Sequence, residues 1–326
     1  MRKGTLIAAI SGLGLGAIIV AYFGADVVLG TVERVGCGGF ALVIAYRLAG
    51  YLPLGMSWWL IEPSRRHQLI PFVRGRLVRD AVGDILPLSQ LGGYLGGARA
   101  LTVMGVPAPV AAATTVVDLT LELLAKLVYT VLGILLLAHL HPRSPLVLPA
   151  MVGVCVGLAV VLAFVFVQRR GTADLERVSL RLGAKFLPGI TGGSSPSVAE
   201  ILDQAYARPC ALAVAAGVHL LSWISDGVGA WIALHLMGVP LGIPAVLSLE
   251  SLLHAVRSIA FAVPNAAGVQ EGAYVMLGHI FGLAPDTALA LSLLKRGRDI
   301  LIGMPVLFDW QWLESGSRRR RTAERL

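Results

Sequence analysis

Long apolar stretches separated by short polar connections make up most of this sequence. A helix that spans a membrane needs about 20 mainly apolar residues. Each stretch that meets this requirement predicts one spanning helix, and six do so: residues 5–25, 35–61, 109–140, 145–167, 209–237 and 285–310. The pattern therefore predicts an all-α polytopic membrane protein in which residues 1–326 form a single transmembrane domain.

Two further apolar segments, residues 80–106 and 244–282, are interrupted by glycine and proline. The first contains PLSQLGGYLGG at 87–97, and the second contains VPNAAGVQEG at 263–272. A helix break at membrane depth is tolerated only where other protein covers it or where it lines a water-filled cavity. We interpret each segment as a re-entrant helical hairpin that enters the bilayer and turns back. The residues expected to act as structural hinges are Pro87, Gly92, Gly93, Pro264, Gly268 and Gly272.

The distribution of basic residues predicts the orientation. They are dense at residues 62–79, in a polar linker at 168–208 and in the tail 311–326, and such density marks the cytoplasmic side. With six spans, both termini are then cytoplasmic, and the two hairpins enter from opposite sides. This arrangement is an inverted repeat, with repeat 1 over about 35–140 and repeat 2 over about 209–310. The alternative is that each interrupted segment forms one or two complete spans, which would give eight or more helices.

The composition agrees with a membrane protein and narrows its chemistry. Of the 326 residues, 56% are hydrophobic and 14% are charged, whereas soluble domains carry about 25% charged residues. The net charge of +8 comes largely from loops and the tail, so it indicates contact with anionic lipid rather than nucleic acid. The three cysteines show no metal-ligand spacing, and the sequence has no GxSxG motif, HExxH motif or nucleotide-binding loop. We therefore expect no metal, no cofactor and no catalytic residues.

Several charged side chains fall inside the predicted spans. Asp118, Glu122 and Lys126 are four residues apart, so they share one face of a helix. A charge at the bilayer centre costs about 2.5–3.5 kcal/mol even on the more lenient scale, so these charges together imply an internal polar cavity. The alternative is that Glu122 with Lys126, and Arg298 with Asp299, form neutralising pairs that only join helices. The predicted binding residues of this charged group are Asp118, Glu122, Lys295 and Arg298.

Arg79 and Arg257 precede the two proline breaks, and each would offer a guanidinium group to a phosphate or another polar head group. The alternatives are a cytoplasmic anchor for Arg79 and helix packing for Arg257. Glu271 is a further candidate, because a carboxylate in this apolar segment needs either a partner or a function. The neutral candidates, each with a local turn role as the alternative, are Gln90, Tyr94, Asn265 and Gln270.

Three sequence runs also give a resemblance to a known family. They are AVPNAAGVQEGAYVMLGHIFGL at 262–283, LPLSQLGGYLGGARALTVMGV at 86–106 and TTVVDLTLELLAK at 114–126. These runs resemble the lysylphosphatidylglycerol synthase transmembrane region family, which is the flippase half of the MprF-type proteins and also occurs as stand-alone chains. The GVQEG form is similar to the hopanoid-associated HpnL-type branch of that family.

The resemblance implies an α-helical flippase fold with re-entrant helices, a central cavity open to lipid, and a capacity to form homodimers. The first hairpin departs from the family pattern, because Leu95 stands where a glutamate often follows the glycines. The matching positions are Pro264, Gly268, Glu271 and Gly272 in the P-x-x-x-G-x-x-E-G element, and Arg79, Pro87 and Gly92 in the first repeat.

We therefore expect a lipid transporter or flippase of the bacterial inner membrane, which moves a hopanoid or a related polar lipid through a central polar cavity. Its partners would be the membrane lipid itself and proteins of lipid synthesis or export. The alternatives are a membrane enzyme that modifies a lipid head group, with Glu271 or Glu122 as acid or base, and a scaffold in a lipid-synthesis complex. The aminoacyl-transfer domain of the synthases is absent, so we expect no synthase activity.

Overall fold

A computed structural model describes residues 25–86, 89–170, 197–260, 263, 266 and 268–323. These residues form helices and connections, without a β-strand among them. The helices, numbered in chain order, are α1 Ala25–Ala49, α2 Tyr51–Ile61, α3 Leu69–Ile85, α4 Ser89–Val103, α5 Ala108–Leu140, α6 Val147–Arg170, α7 Val198–Tyr206, α8 Pro209–Leu236, α9 Ile243–Ile259, α10 Val269–Ile280 and α11 Pro285–Ala323.

Some of the predictions fall on residues for which no structure is described. These are most of the first predicted span, the middle of the predicted linker, the hinge candidates Pro87 and Pro264, and the binding candidate Asn265.

Within the described part of the chain, four helical segments are long and apolar enough to cross a membrane, and they agree with four predicted spans. Their bounds are Val35–Ile61, Ala108–Leu140, Val147–Gln168 and Pro209–Leu236. The chain is therefore a helical, multi-pass membrane protein. The predicted sixth span coincides with the start of α11, but α11 is not among the four, because charged residues interrupt its apolar sequence at 295, 296, 298 and 299.

The first interrupted segment, together with part of the predicted basic connection before it, forms two antiparallel helices, α3 and α4, which pack closely through glycines. A Cβ atom at Gly93 would lie 2.6 Å from the backbone oxygen of Arg79, and one at Gly97 would lie 3.1 Å from the backbone oxygen of Gly75. The prediction that Gly92 and Gly93 are hinges is wrong, since both lie inside α4. The chain instead turns between Ile85 and Ser89, and the glycines allow the two helix backbones to approach each other.

The second interrupted segment forms α9 and α10, with the break between them. Gly268 precedes α10 with a φ of 78°, a backbone conformation that glycine adopts readily. Its N–H group donates to Glu271 Oε2 over 2.9 Å, so this carboxylate caps the new helix. Gly272 is not a hinge, because it lies within the first turn of α10.

The C-terminal part of the predicted polar linker contains helix α7, which packs against the rest of the protein. Ser197 and Glu200 form a reciprocal capping box at the start of α7. Val198, Ile201 and Leu202 are buried and belong to an apolar cluster with α5. The buried apolar side chains of this short helix thus hold it against the transmembrane helices.

Each of the two helix pairs, α3 with α4 and α9 with α10, packs against a long helix from the other part of the chain. The first pair packs through α3 against α11, and the second packs through α9 against α5. Helix α8 lies between the halves and contacts α1, α2, α5 and α9. The largest apolar cluster of the described residues joins α1, α5, α8, α9, α10 and α11. This crossed packing brings the polar residues of both interrupted segments to one region.

Candidate functional site

A first charge cluster connects α3, α5 and α8. It consists of two arginines, two carboxylates and a histidine, all at most 6% exposed: Arg76, Arg79, Asp118, Glu122 and His219. Arg79 donates to Asp118 Oδ2 over 2.6 Å and also pairs with Glu122. Arg76 Nη1 lies 3.2 Å from Glu122 Oε2, and His219 Nε2 lies 2.9 Å from Asp118 Oδ1. Each buried charge in this cluster therefore has a partner of opposite sign, as burial requires.

This cluster corrects two parts of the sequence interpretation. The basic density at residues 62–79 predicts a polar connection, but Arg76 and Arg79 lie inside α3 and are buried. Glu122 pairs with these arginines and not with Lys126, so the proposed Glu122–Lys126 pair is wrong. The i, i+4 spacing places the two side chains on one face, but α3 supplies the stronger partners.

A second charge cluster connects α8, α9, α10 and α11. It consists of Asp226, Glu250, His254, Tyr274 and Lys295. Lys295 Nζ lies 2.7 Å from Glu250 Oε2 and 3.1 Å from Asp226 Oδ2. His254 Nε2 lies 3.3 Å from Asp226 Oδ2, and the hydroxyl group of Tyr274 donates to Glu250 Oε1 over 2.5 Å.

Sequence reasoning missed Glu250 and His254, although a signal was present. They are four residues apart in an apolar helix, which is the same spacing that identified Asp118 and Glu122. One ligand atom each from Asp226, Glu250 and His254 lies within 4.8 Å of the others, a geometry that could hold a metal ion. Lys295 already contacts both carboxylates, so its ammonium group supplies the positive charge at this position.

Glu271 and Gln270 hold α10 against α11. Glu271 Oε1 accepts from Arg296 Nε over 2.5 Å and from Ser292 Oγ over 3.0 Å. Gln270 Nε2 donates to Ser292 Oγ over 2.8 Å. Both side chains are buried in this contact, and neither is among the residues that line the polar cavity described next.

A cavity of about 350 Å³ lies between the two charge clusters. Its walls come from α1, α3, α4, α5, α8, α9 and α11, and from the connection that follows α9. The predicted site residues that line it are Gln90, Tyr94, Glu122, Arg257, Lys295 and Arg298. Arg79 and Asp118 lie behind this wall, and the Arg79 guanidinium carbon is 3.9 Å from the centre of the Tyr94 ring. The structure thus brings residues from both interrupted segments around one polar space.

Most charges on the cavity wall are paired. Arg298 and Asp299 form the predicted pair at 2.8 Å, and Arg298 also lies 3.5 Å from Asp226. Arg47 lies 3.4 Å from Asp80 and 3.8 Å from Asp226. These contacts offset part of the cost of burying the charges and do not fill the space, so the cavity stays polar.

A larger apolar groove of about 1260 Å³ lies next to the polar cavity. It is lined by the end of α5, the connection that follows it, and α10. The two spaces share α9, where Val256 lines the groove and Arg257 lines the polar cavity. They are also adjacent at the break before α10, where Gly268 lines the groove and Ala266 lines the cavity.

Comparison with known proteins gives one family. Residues 6–306 match the family described as "Lysylphosphatidylglycerol synthase TM region". No curated protein and no solved structure matches the chain. The family match covers both charge clusters and both interrupted segments, and it indicates a membrane protein involved in lipid handling.

Proposed function

This chain belongs to the lysylphosphatidylglycerol synthase TM region family, and on that premise we propose that it is a lipid transporter or flippase. Its substrate would be a hopanoid or a related polar lipid of the bacterial inner membrane, in keeping with an HpnL-type protein. The observation that carries the proposal is the polar cavity between the crossed helix pairs, since a membrane protein needs such a space to move a polar head group.

The lengths of the paired helices support re-entrant hairpins within a six-span inverted repeat, with both termini in the cytoplasm. Helices α3, α4, α9 and α10 contain 17, 15, 17 and 12 residues. A complete span needs about 20 residues, so each arm is too short to cross the hydrocarbon core without tilt or extension. Two such arms joined by a break match an element that enters the membrane and returns.

The adjacent spaces suggest how a lipid would be accommodated. The head group would occupy the polar cavity, where charged side chains replace water as its surroundings. The hydrocarbon part would lie in the apolar groove or in the bilayer. The break between α9 and α10 lies between the two spaces, so movement of this connection would open a path from one to the other.

The direct test is transport by the purified full chain in liposomes that contain a head-labelled phospholipid. We expect protein-dependent movement of the label between leaflets, measured by quenching the label in the outer leaflet with dithionite. Leu91→Trp places a large ring on the cavity wall without changing a charge, and should reduce movement to the protein-free rate. The matched control is Leu52→Trp, because Leu52 is 58% exposed, as Leu91 is, but does not line the cavity.

Three results would count against transport through this cavity. Equal movement in both tryptophan variants would place the path elsewhere. A change in the mass of the lipid after incubation would indicate a membrane enzyme. A scaffold would be indicated if the labelled lipid did not move and lipid-synthesis proteins co-purified with the chain from a native membrane extract.

A further inference from the structure

One carboxylate on the wall of the polar cavity, Asp84, has no ion pair among the described residues. The other four carboxylates that line the cavity each contact a cation: Asp80, Glu122, Asp226 and Asp299. Asp84 is only partly exposed. A partly buried carboxylate without a cation is costly in its ionised form, so Asp84 is the acid on this wall that gains most from binding a proton.

The position of Asp84 in its helix also disfavours a negative charge. It is the second-last residue of α3, and the carboxyl end of a helix carries the partial negative charge of the helix dipole. Asp80 lies one turn earlier on the same helix, and Asp299 on α11 is a further like charge nearby. Like charges at i and i+4 repel each other, so these features together favour the neutral carboxyl form of Asp84.

The other helices around Asp84 contribute two cations and two phenol groups to its surroundings. They are Arg47 on α1, Arg257 on α9, Tyr51 on α2 and Tyr94 on α4. Arg47 lies 3.4 Å from Asp80, whereas Arg257 forms no ion pair among the described residues. The cation that is free to answer a negative charge on Asp84 is therefore Arg257, which belongs to the other helix pair.

Asp84 and Arg257 occupy corresponding ends of the two helix pairs. Asp84 is one residue before the end of α3, and Arg257 is two residues before the end of α9. Each precedes the break of its own pair, and both line the cavity. When Asp84 is ionised, the two opposite charges attract each other across the space between the breaks, and a proton on Asp84 removes this attraction.

We propose that Asp84 is a proton-binding site, and that its protonation controls how closely the two breaks approach, so that lipid movement is coupled to proton movement. The inference rests on the proposed function, because the coupled movement is that of the lipid. The chemical step is a protonation only: the carboxylate accepts a proton from water in the cavity to become a carboxyl group, and later returns the proton to water.

The first test is lipid movement under a pH gradient, with the purified full chain in liposomes that contain the head-labelled phospholipid. Valinomycin with equal potassium on both sides removes the membrane potential, so that only the pH difference acts. We expect the label to become unequal between the leaflets, by up to about tenfold for each unit of pH difference if one proton accompanies each lipid. Dithionite quenching of the outer leaflet measures this bias.

Three variants assign the bias to Asp84. Asp84→Asn cannot exchange a proton and should abolish the bias, whereas Asp84→Glu keeps a titratable carboxyl group and should retain it. Asp203→Asn is the matched control, because Asp203 is an exposed carboxylate on α7 that does not line the cavity. It should show the same bias as the unaltered chain. Size-exclusion profiles and melting temperatures show whether each variant is folded.

Infrared difference spectra of the full chain in detergent, between about pH 5.5 and pH 9, measure proton binding without transport. We expect the carbonyl band of a protonated carboxyl group to grow towards acidic pH, and a part of this band to be missing in Asp84→Asn. Arg257→Gln removes the cation that favours the ionised form, so the midpoint of that part of the band should move to higher pH.

The two measurements separate failure of the proposal from failure of transport. A folded Asp84→Asn protein that keeps the bias, or that has the infrared spectrum of the unaltered chain, would overturn the proposal. If Asp84→Asn does not fold, an unchanged midpoint in Arg257→Gln would overturn it instead. Lipid movement without a bias in the unaltered chain would reject the coupling and leave the proposed function in place. A band that depends on Asp84 without any lipid movement would reject transport and keep the proton-binding site.

Discussion

The two charge clusters occupy corresponding places in the two halves but have opposite polarity. In the first half, α3 supplies the arginines and α5 supplies the carboxylates. In the second half, α9 supplies Glu250 and His254, and α11 supplies the lysine. Asp118 and Lys295 each lie ten residues after the start of their helix, counted from Ala108 and from Pro285. Arg76 and Glu250 likewise each lie seven residues after the start of their helix, counted from Leu69 and from Ile243, so two pairs of matching positions carry charges of opposite sign.

The second arms of the two helix pairs match in the same way. Tyr94 and Tyr274 each lie five residues after the first residue of α4 and α10, counted from Ser89 and from Val269. Each tyrosine contacts its own cluster, Tyr94 through its ring and Tyr274 through its hydroxyl group. This register also places Gly92 opposite Gly272, each three residues after the start of its helix.

The comparison shows what the fold requires at these positions. A buried charge needs a partner of opposite sign, but it does not matter which helix carries which sign. A search for identical residues in two halves of a chain cannot detect such a relation. Four substitutions, or pairs of substitutions, test it, beginning with the largest expected effect.

Arg79→Met tests the first cluster. The change leaves two buried carboxylates with less positive charge, so the free energy of unfolding should fall by about 3–5 kcal/mol. Unfolding of the full chain in detergent micelles, followed by circular dichroism, measures this loss. Arg74→Met is the control, because Arg74 is on the same helix and pairs with Asp309 at an exposed position, where the loss should be at most about 1 kcal/mol. Equal losses would show that burial of the first cluster has no energetic role.

Glu250→Gln and Lys295→Met test the second cluster as a double-mutant cycle. Lys295→Met leaves the buried Glu250 carboxylate without its ammonium partner and should destabilise the chain by about 3–5 kcal/mol. Glu250→Gln should destabilise it less, because Asp226 still pairs with Lys295. The double variant should lose less than the sum of the two, with a coupling energy of about 1–3 kcal/mol. Strict additivity in the same unfolding measurement would contradict the assignment of these residues to one cluster.

Tyr274→Phe and Tyr94→Phe should differ although the positions correspond. Tyr274 loses a hydrogen bond to the Glu250 carboxylate, so the expected destabilisation is about 1.5–3 kcal/mol. Tyr94 keeps its ring over Arg79 in the phenylalanine variant, so its loss should be close to zero. Thermal unfolding of both variants measures the difference, and a larger loss at Tyr94 would contradict the described contacts.

Gly93→Ala and Gly272→Ala should have opposite signs. A Cβ atom at Gly93 would lie 2.6 Å from a backbone oxygen of α3, so the helices must move apart at a cost of about 1–3 kcal/mol. A Cβ atom at Gly272 meets nothing within 4 Å, and alanine is preferred over glycine inside a helix, which gives a gain of about 0.5–1 kcal/mol. A gain at both positions would show that α3 and α4 are not closely packed.

Local pattern was enough to predict much of the fold and part of the site. Apolar length identified the four segments that are long enough to span a membrane, and the i, i+4 spacing of Asp118 and Glu122 identified one wall of the first cluster. The partners of these carboxylates were not predictable, because Arg76 and Arg79 reach them only through the packing of α3 on the rest of the chain.

The residues around the break between α9 and α10 show most clearly what sequence-based prediction of the site cannot decide. A carboxylate between glycines in an apolar segment favoured a binding role for Glu271. Its contact with Gly268 is a helix cap, and its contact with Arg296 joins two helices, so its surroundings explain its presence without a ligand. Sequence alone cannot separate these roles, since both require a carboxylate at the same point.

Helix α8 carries one residue of each cluster, His219 towards Asp118 and Asp226 towards Lys295. Seven residues separate them, which is two turns and about 10 Å along the axis, so they lie on the same side of a single stiff rod. A shift of this rod by even half a turn would strain the contacts of both halves at once. Through these two contacts, α8 mechanically links the two charge clusters.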